Sequence, residues 1–161
     1  IKSSLIRTNA DELTYHLHVL IRYEIEKELI EGNINVDDLP SKWNKLYKKY
    51  LNIDVPSDSL GVLQDIHWSH GSFGYFPTYT IGSFYAAQFY AQASKEITNI
   101  DIKMESGDTN ELLAWLRKKI HIHGQRYDAK DLCKMITGEE LNFKYFMNYA
   151  KNKYSKIYNF K

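Results

Sequence analysis

The residues best suited to chemistry lie in one short segment, from Gly61 to Tyr79. They are, in chain order, Gln64, Asp65, His67, Tyr75 and Tyr79. A histidine can transfer a proton, and a tyrosine hydroxyl group can stabilise an oxyanion. Gly71, Gly74 and Pro77 interrupt regular structure, which predicts a loop of the kind that often carries a functional site. The same composition also fits a buried aromatic turn whose polar atoms bond to one another.

Arg7 is a second candidate, because a planar guanidinium group can bind a carboxylate through two parallel hydrogen bonds. The alternative is a surface arginine or a structural ion pair with Asp11 or Glu12. Residue types alone leave both interpretations of Arg7 open.

A metal site within the chain is not predicted. His67 and His70 are three residues apart and could share an ion only on a helix, and three convincing ligands are not visible around them. Cys133 is the only cysteine, and its neighbours Leu132 and Met135 predict a buried core position for it rather than a nucleophile.

Apolar residues recur at helical spacing along most of the chain, and hardly any stretch alternates with the period of two that strands show. The pattern predicts an all-α fold in which residues 1–161 form a single helical domain. Residues 98–107 are predicted to be a loop, and Arg22 and Glu26 are predicted to pair on an exposed helix face. The predicted helices run over residues 11–31, about 37–51, from 79 or 80 to about 97, 108–120, 128–137, and from 142 towards the end of the chain.

Composition excludes several classes of function. The net charge of +1 argues against nucleic acid and membrane surfaces as partners. No run approaches the roughly 18 apolar residues of a membrane span. The first residues lack the pattern of a signal peptide, and the single cysteine fits a reducing compartment. A cytoplasmic location is therefore expected.

Two motifs connect the chain to a known family. The run Gly61-x-x-Gln64-Asp65-x-His67-Trp68 resembles the G-x-x-Q-D-x-H-W motif of the thermostable carboxypeptidase Taq family of metallocarboxypeptidases. Ile6-Arg7-x-x-Ala10-Asp11 resembles the I-R-x-x-A-D motif of the same family. The Gly-Tyr-Phe-Pro-Thr-Tyr run and the Thr-Gly-Glu segment also resemble it, in the family's order.

The resemblance implies roles for the candidate residues. Arg7 would hold the C-terminal carboxylate of a peptide substrate. His67 and one of Tyr75 or Tyr79 would face the metal and hydrogen-bond the oxyanion. Gln64 and Asp65 would shape the substrate pocket or orient His67.

The family's H-E-x-x-H and H-E-S metal motifs are absent, so the chain resembles the C-terminal third of such an enzyme. The resemblance then implies zinc or another divalent metal in the full-length enzyme, with none bound by this chain alone. It implies three partners: a peptide with a free C-terminal carboxylate, the N-terminal metal-binding part of the same protein, and a second copy in a homodimer. The alternative is a non-catalytic helical module that binds a partner.

Overall fold

A computed structural model describes residues 1–159, and the all-α prediction is confirmed for that range, which contains helices and no strand. The helices are α1 (Thr14–Ile30), α2 (Leu39–Leu51), α3 (Phe76–Glu96), α4 (Ile100–Glu105), α5 (Asn110–Lys119), α6 (Ala129–Thr137) and α7 (Lys144–Tyr158). Short 3-10 turns occupy several of the connections. None of the described helices is both long and apolar enough to cross a bilayer.

The chain divides into two compact units, residues 1–81 and the residues from Gly82 onward. Every residue of the predicted site lies in the first unit. That residues 1–161 form one domain stays a prediction.

The core of the first unit forms where α1 packs on α2. Its buried members are Ile21, Ile25, Trp43, Leu46, Tyr47 and Leu51. Asp11 caps the start of α1, since its Oδ1 accepts the backbone N–H groups of Leu13 at 3.0 Å and Thr14 at 2.9 Å. Helix α1 is therefore held firmly against α2, and residues on its buried side are fixed in position.

Helix α3 begins earlier than the sequence predicted. It starts at Phe76 instead of Tyr79 or Thr80, with Pro77 in its first turn. A proline there removes an N–H that has no helical partner in any case, so it begins the helix instead of breaking it. As a result Tyr79 lies on a helix and not on the predicted loop.

The second unit has its own core. The buried members are Ala93, Ile97, Ile100, Trp115 and Ile136. The loop predicted over residues 98–107 is wrong, because α4 occupies most of it and buries Ile100. Cys133 is buried and unpaired, as predicted.

Candidate active site

A buried ion cluster lies at the centre of the first unit. Arg7 donates to Asp65 Oδ1 from Nε at 3.0 Å and from Nη2 at 2.8 Å. Arg22 donates to the other oxygen, Oδ2, from Nε at 2.7 Å, and its Nη2 forms an ion pair with the same oxygen at 2.5 Å. One carboxylate thus bridges two guanidinium groups through both of its oxygens.

Gln64 completes this cluster. Its Oε1 accepts the backbone N–H of Arg7 at 2.9 Å and Nη2 of Arg22 at 2.9 Å. Its Nε2 donates to the carbonyl oxygens of Leu5 at 3.3 Å and Leu60 at 3.1 Å. The Gln-Asp pair of the motif therefore joins three separate parts of the chain.

Burial makes the cluster electrostatically strong. Arg22 is 0% exposed and Arg7 is 8% exposed. Burial by itself would raise the pKa of the Asp65 carboxyl group, but the positive charges of Arg22 and Arg7 outweigh it and hold that pKa below its ordinary value. Asp65 is therefore ionised throughout the neutral range.

One prediction about an arginine is wrong. Arg22 and Glu26 do not form an exposed pair, since both are buried and each has another partner. The ion pair considered between Arg7 and Asp11 or Glu12 is instead formed with Asp65.

A second cluster joins the predicted histidine to the predicted tyrosines. His67 Nε2 and the Tyr79 hydroxyl oxygen are 3.0 Å apart. The ring centroids of His67 and Tyr75 are 5.8 Å apart, and those of Tyr75 and Tyr79 are 5.4 Å apart. Tyr75 is 50% exposed, so its hydroxyl group is accessible to a ligand.

His67 is neutral at physiological pH. Burial lowers the pKa of its ring, and the positive charges of Arg7 and Arg22 lower it further against the opposing charge of Asp65. Nδ1 of His67 is buried and has no hydrogen-bond partner among the described residues. A neutral imidazole ring has one N–H donor and one acceptor nitrogen. In His67 the hydrogen-bonding position of Nε2 is taken by the Tyr79 hydroxyl group.

Aromatic rings connect the two clusters. The Arg7 guanidinium carbon lies 5.2 Å from the centre of the Tyr79 ring and 5.6 Å from that of Phe76. Phe76 in turn packs on His67, with ring centroids 4.2 Å apart. The structure therefore brings all six predicted site residues into one region of the first unit. Asp65 bonds to the arginines, however, and not to His67, so the proposed orienting of His67 by Asp65 has no hydrogen bond to support it.

Sequence reasoning missed three residues that belong to this region: Arg22, Glu26 and Trp68 in its packing role. His18, Arg22 and Glu26 are spaced four apart beside Ile21 and Ile25, which are fully buried. That spacing places polar residues along the apolar stripe of α1. Their burial could have been predicted from this position on the helix.

Within residues 1–159, no group of three or more His, Cys, Asp or Glu side chains is arranged to hold an ion. His67 and His70 lie with ring centroids 5.9 Å apart, and Nδ1 of His70 is 2.9 Å from the hydroxyl oxygen of Ser72. These two rings do not make up a ligand set for a divalent metal.

Comparison with known proteins gives one consistent result. A family model described as carboxypeptidase Taq (M32) metallopeptidase matches residues 1–154. Carboxypeptidase 1 of Bacillus subtilis strain 168 is 48% identical over 157 residues, which are 98% of this chain and 31% of that protein.

Solved structures agree with this match. The M32 carboxypeptidase of Deinococcus radiodurans is similar with a TM-score of 0.95 and 39% identity, over 99% of this chain and 32% of that one. The carboxypeptidase of Pyrococcus furiosus is similar with a TM-score of 0.92 and 42% identity, over 96% of this chain and 31% of that one. The chain therefore spans about a third of the length of the relatives that it matches.

Proposed function

The chain belongs to the carboxypeptidase Taq (M32) metallopeptidase family, and from that premise we propose that it is the C-terminal, substrate-binding part of a metal-dependent carboxypeptidase. Such an enzyme removes residues from the C-termini of peptides. The observation that carries the proposal is the contact between a buried arginine cluster and a histidine–tyrosine cluster in one unit. The arginine cluster can bind a terminal carboxylate, and the histidine–tyrosine cluster can bind the peptide bond beside it.

Charge in the arginine cluster supports recognition of a free carboxylate. Asp65 supplies one negative charge to the two guanidinium groups of Arg7 and Arg22, so one formal positive charge is left over. Arg7 uses three of its five N–H groups, two on Asp65 and one on the Tyr15 hydroxyl oxygen at 3.1 Å. The two remaining N–H groups can meet a carboxylate, which an internal peptide bond does not offer.

The second cluster supports a role in the chemical step. The hydroxyl group of Tyr75 or of Tyr79 can donate a hydrogen bond to the oxygen of the scissile carbonyl as negative charge develops on it, and His67 supports Tyr79 when its Nε2–H donates to the Tyr79 hydroxyl oxygen. A well-placed donor of this kind lowers the barrier by roughly 3 kcal/mol. Tyr75 is the more exposed of the two tyrosines, which favours it for contact with substrate.

The metal belongs to another part of the proposed enzyme. The family name implies a divalent metal, which we take to be zinc or a chemically similar ion. The described residues of this chain do not fit it, and no step of the proposal runs through it. A longer protein, with an N-terminal part that binds the metal, fits the fact that relatives are about three times as long.

The role of Arg7 is tested by a pair of substrates on the complete enzyme. One peptide carries a free C-terminal carboxylate and the other a C-terminal amide. Arg7→Ala should raise KM for the free acid and reduce the preference of the enzyme for acid over amide. Arg117→Ala, at an exposed position on α5, is the matched control. A preference that survives Arg7→Ala unchanged shows that Arg7 is structural only.

The roles of the second cluster are tested by kcat. His67→Ala, Tyr75→Phe and Tyr79→Phe should lower kcat with little change in KM, because an interaction made only in the transition state affects both kcat and kcat/KM. Tyr23→Phe, at an exposed position on α1, is the control. An effect confined to KM would place these side chains in ground-state binding instead.

The chain of 161 residues by itself should hydrolyse no peptide and bind zinc only weakly. Tight stoichiometric zinc binding with turnover would contradict the proposed division between the two parts. If no coding sequence for a metal-binding part precedes the segment, a helical module that binds a partner becomes the better proposal. We also propose a cytoplasmic location, which a single buried cysteine supports, and a homodimer of the complete enzyme, which rests on the family resemblance alone.

A further inference from the structure

Glu26 is a buried carboxyl group outside the sequence motifs. It lies on α1 and is 4% exposed. Its Oε1 accepts the indole N–H of Trp68 at 2.9 Å, while Oε2 is buried and has no hydrogen-bond partner within residues 1–159. A buried, incompletely bonded carboxyl group is costly, so its presence in the core calls for a reason.

Glu26 contacts the motif segment next to the candidate catalytic residues. Trp68, its hydrogen-bond partner, directly follows His67. The backbone of Gly74, which directly precedes Tyr75, favours the charged form of the same carboxyl group. Glu26 therefore holds the start of residues 68–74, the stretch that separates His67 from Tyr75.

Ring packing carries this restraint to His67. The Trp68 ring meets Phe76 edge to face, with centroids 6.1 Å apart, and stacks on Phe73 at 6.4 Å. The His67 ring packs on the other side of this group, 4.2 Å from Phe76 between centroids. Phe76 is 1% exposed, so it cannot move towards solvent. A movement of Trp68 therefore changes the surface against which the His67 ring packs.

We propose that Glu26 is a positioning residue: by holding the indole of Trp68, its carboxylate sets the position of the His67 ring against Phe76 and Tyr75. Burial raises the pKa of Glu26 against the opposing effects of Trp68, Gly74 and Arg22, which agrees with a carboxyl group kept in the core for its contacts. This inference rests on the function proposed for His67 and Tyr75. The test measures ring positions and not activity, so this inference and the proposed function can fail separately.

The test is NMR spectroscopy of the whole chain with Glu26→Gln. A glutamine can still accept the indole N–H of Trp68 through its amide oxygen, but it carries no negative charge. The Trp68 indole proton should move upfield, because a neutral acceptor bonds more weakly than a charged one. The nuclear Overhauser cross-peaks from the His67 ring to Tyr75 and Phe76 should weaken. Glu28→Gln is the matched control, since Glu28 is on the same helix but pairs with Lys42 at 2.6 Å, and it should leave all these signals unchanged.

A second variant separates contact from charge. Trp68→Phe removes the indole donor without altering the charge of Glu26, and it should weaken the same His67 cross-peaks. If Glu26→Gln moves the Trp68 signal while the His67 cross-peaks keep their intensity, positioning is refuted. Unchanged signals for both residues also refute it.

The unaltered chain provides an independent measurement if Glu26→Gln does not fold. As pH falls and Glu26 takes up a proton, the Trp68 indole signal and the His67 ring signals should change with one shared midpoint. The His67 signals also show a separate change that comes from the titration of His67 itself. Separate midpoints overturn the inference. In the complete enzyme, altered cross-peaks with normal kcat would keep the positioning by Glu26 and refute the proposed role of His67.

Discussion

Replacement of Asp65 by asparagine tests the arginine cluster most directly. The variant Asp65→Asn would keep the size of the side chain, and the new amide could still accept hydrogen bonds. It would remove the only carboxylate that Arg7 and Arg22 share. Both guanidinium groups would then be buried without a counter-charge, so the first unit should be strongly destabilised.

The expected size follows from burial. The Asp65 side chain is 10% exposed, and those of Arg22 and Arg7 are 0% and 9% exposed. Removing one partner of a buried ion pair costs about 3–5 kcal/mol, most of it from the charge left behind. Asp54→Asn is the matched control, because Asp54 pairs with Lys48 at 2.7 Å but its side chain is 85% exposed, and an exposed pair contributes about 0–1 kcal/mol.

The assay is urea unfolding followed by tryptophan fluorescence. Every protein in the series carries Trp115→Phe, so that Trp43 and Trp68 report only on the first unit. Equal stability of Asp65→Asn and Asp54→Asn would refute the reasoning, since the carboxylate would then contribute no more than a surface charge.

Acid provides a second measurement on the same pair. The folded pKa of Asp65 is lowered, so its contribution to stability is complete above the unfolded pKa, about 3.9 for aspartate. It is lost as pH falls below that value towards the folded pKa. Over this range the parent should lose more stability than Asp65→Asn. A parallel loss in both proteins would show that Asp65 has an ordinary pKa.

Two further outcomes follow from the structure. His18 is fully buried, and burial together with the charges of Arg22 and Arg7 lowers its pKa to about 4. As pH falls, His18 therefore takes up a proton in the unfolded chain before it does so in the folded chain. Stability should therefore fall by roughly 3 kcal/mol between about pH 6.5 and pH 4, and His18→Asn should flatten this slope in urea unfolding at a series of pH values. A Cβ at Gly61 would lie 2.7 Å from Val55 Cγ1, whereas one at Gly82 meets nothing within 4 Å. In thermal unfolding, Gly61→Ala should be destabilised by about 1–3 kcal/mol. Gly82→Ala, in a helix interior, should be stabilised by about 0.5–1 kcal/mol. A change in stability of the same sign for both variants would contradict this.

The sequence predicted what local chemistry decides. Asp11 caps α1 and Gly138 ends α6 in a left-handed conformation, because these effects depend on a few neighbouring residues. The structure brings the motif residues into one region, and the roles that the family resemblance implies for them stay predictions. Periodicity alone did not separate a catalytic loop from a packed aromatic turn, and the structure contains features of both.

The sequence failed where tertiary contacts override local preference. Arg22 looked like a surface residue because arginine is seldom fully buried, and its burial depends on an aspartate 43 residues away. Residues 98–107 looked like a loop because Asn99 and Gly107 frame them, yet Ile100 enters the core and α4 forms between them. Neither outcome can be read from a short window of sequence.

The structure changes the meaning of the Arg7 motif. A residue used only to bind substrate would present its guanidinium group to solvent, but Arg7 is 8% exposed and anchored by Asp65, Tyr15 and the Gln64 side chain. Anchoring of this kind is what recognition of a carboxylate requires, because a fixed fork loses little conformational entropy when the ligand binds. In the proposed function the two motifs act together: Gln64 and Asp65 hold Arg7, and Arg7 is the group that we propose binds the peptide terminus. It follows that Asp65→Asn in the complete enzyme should raise KM for free-acid peptides more than for amides, as Arg7→Ala does, although Asp65 itself has both oxygens turned towards the arginines.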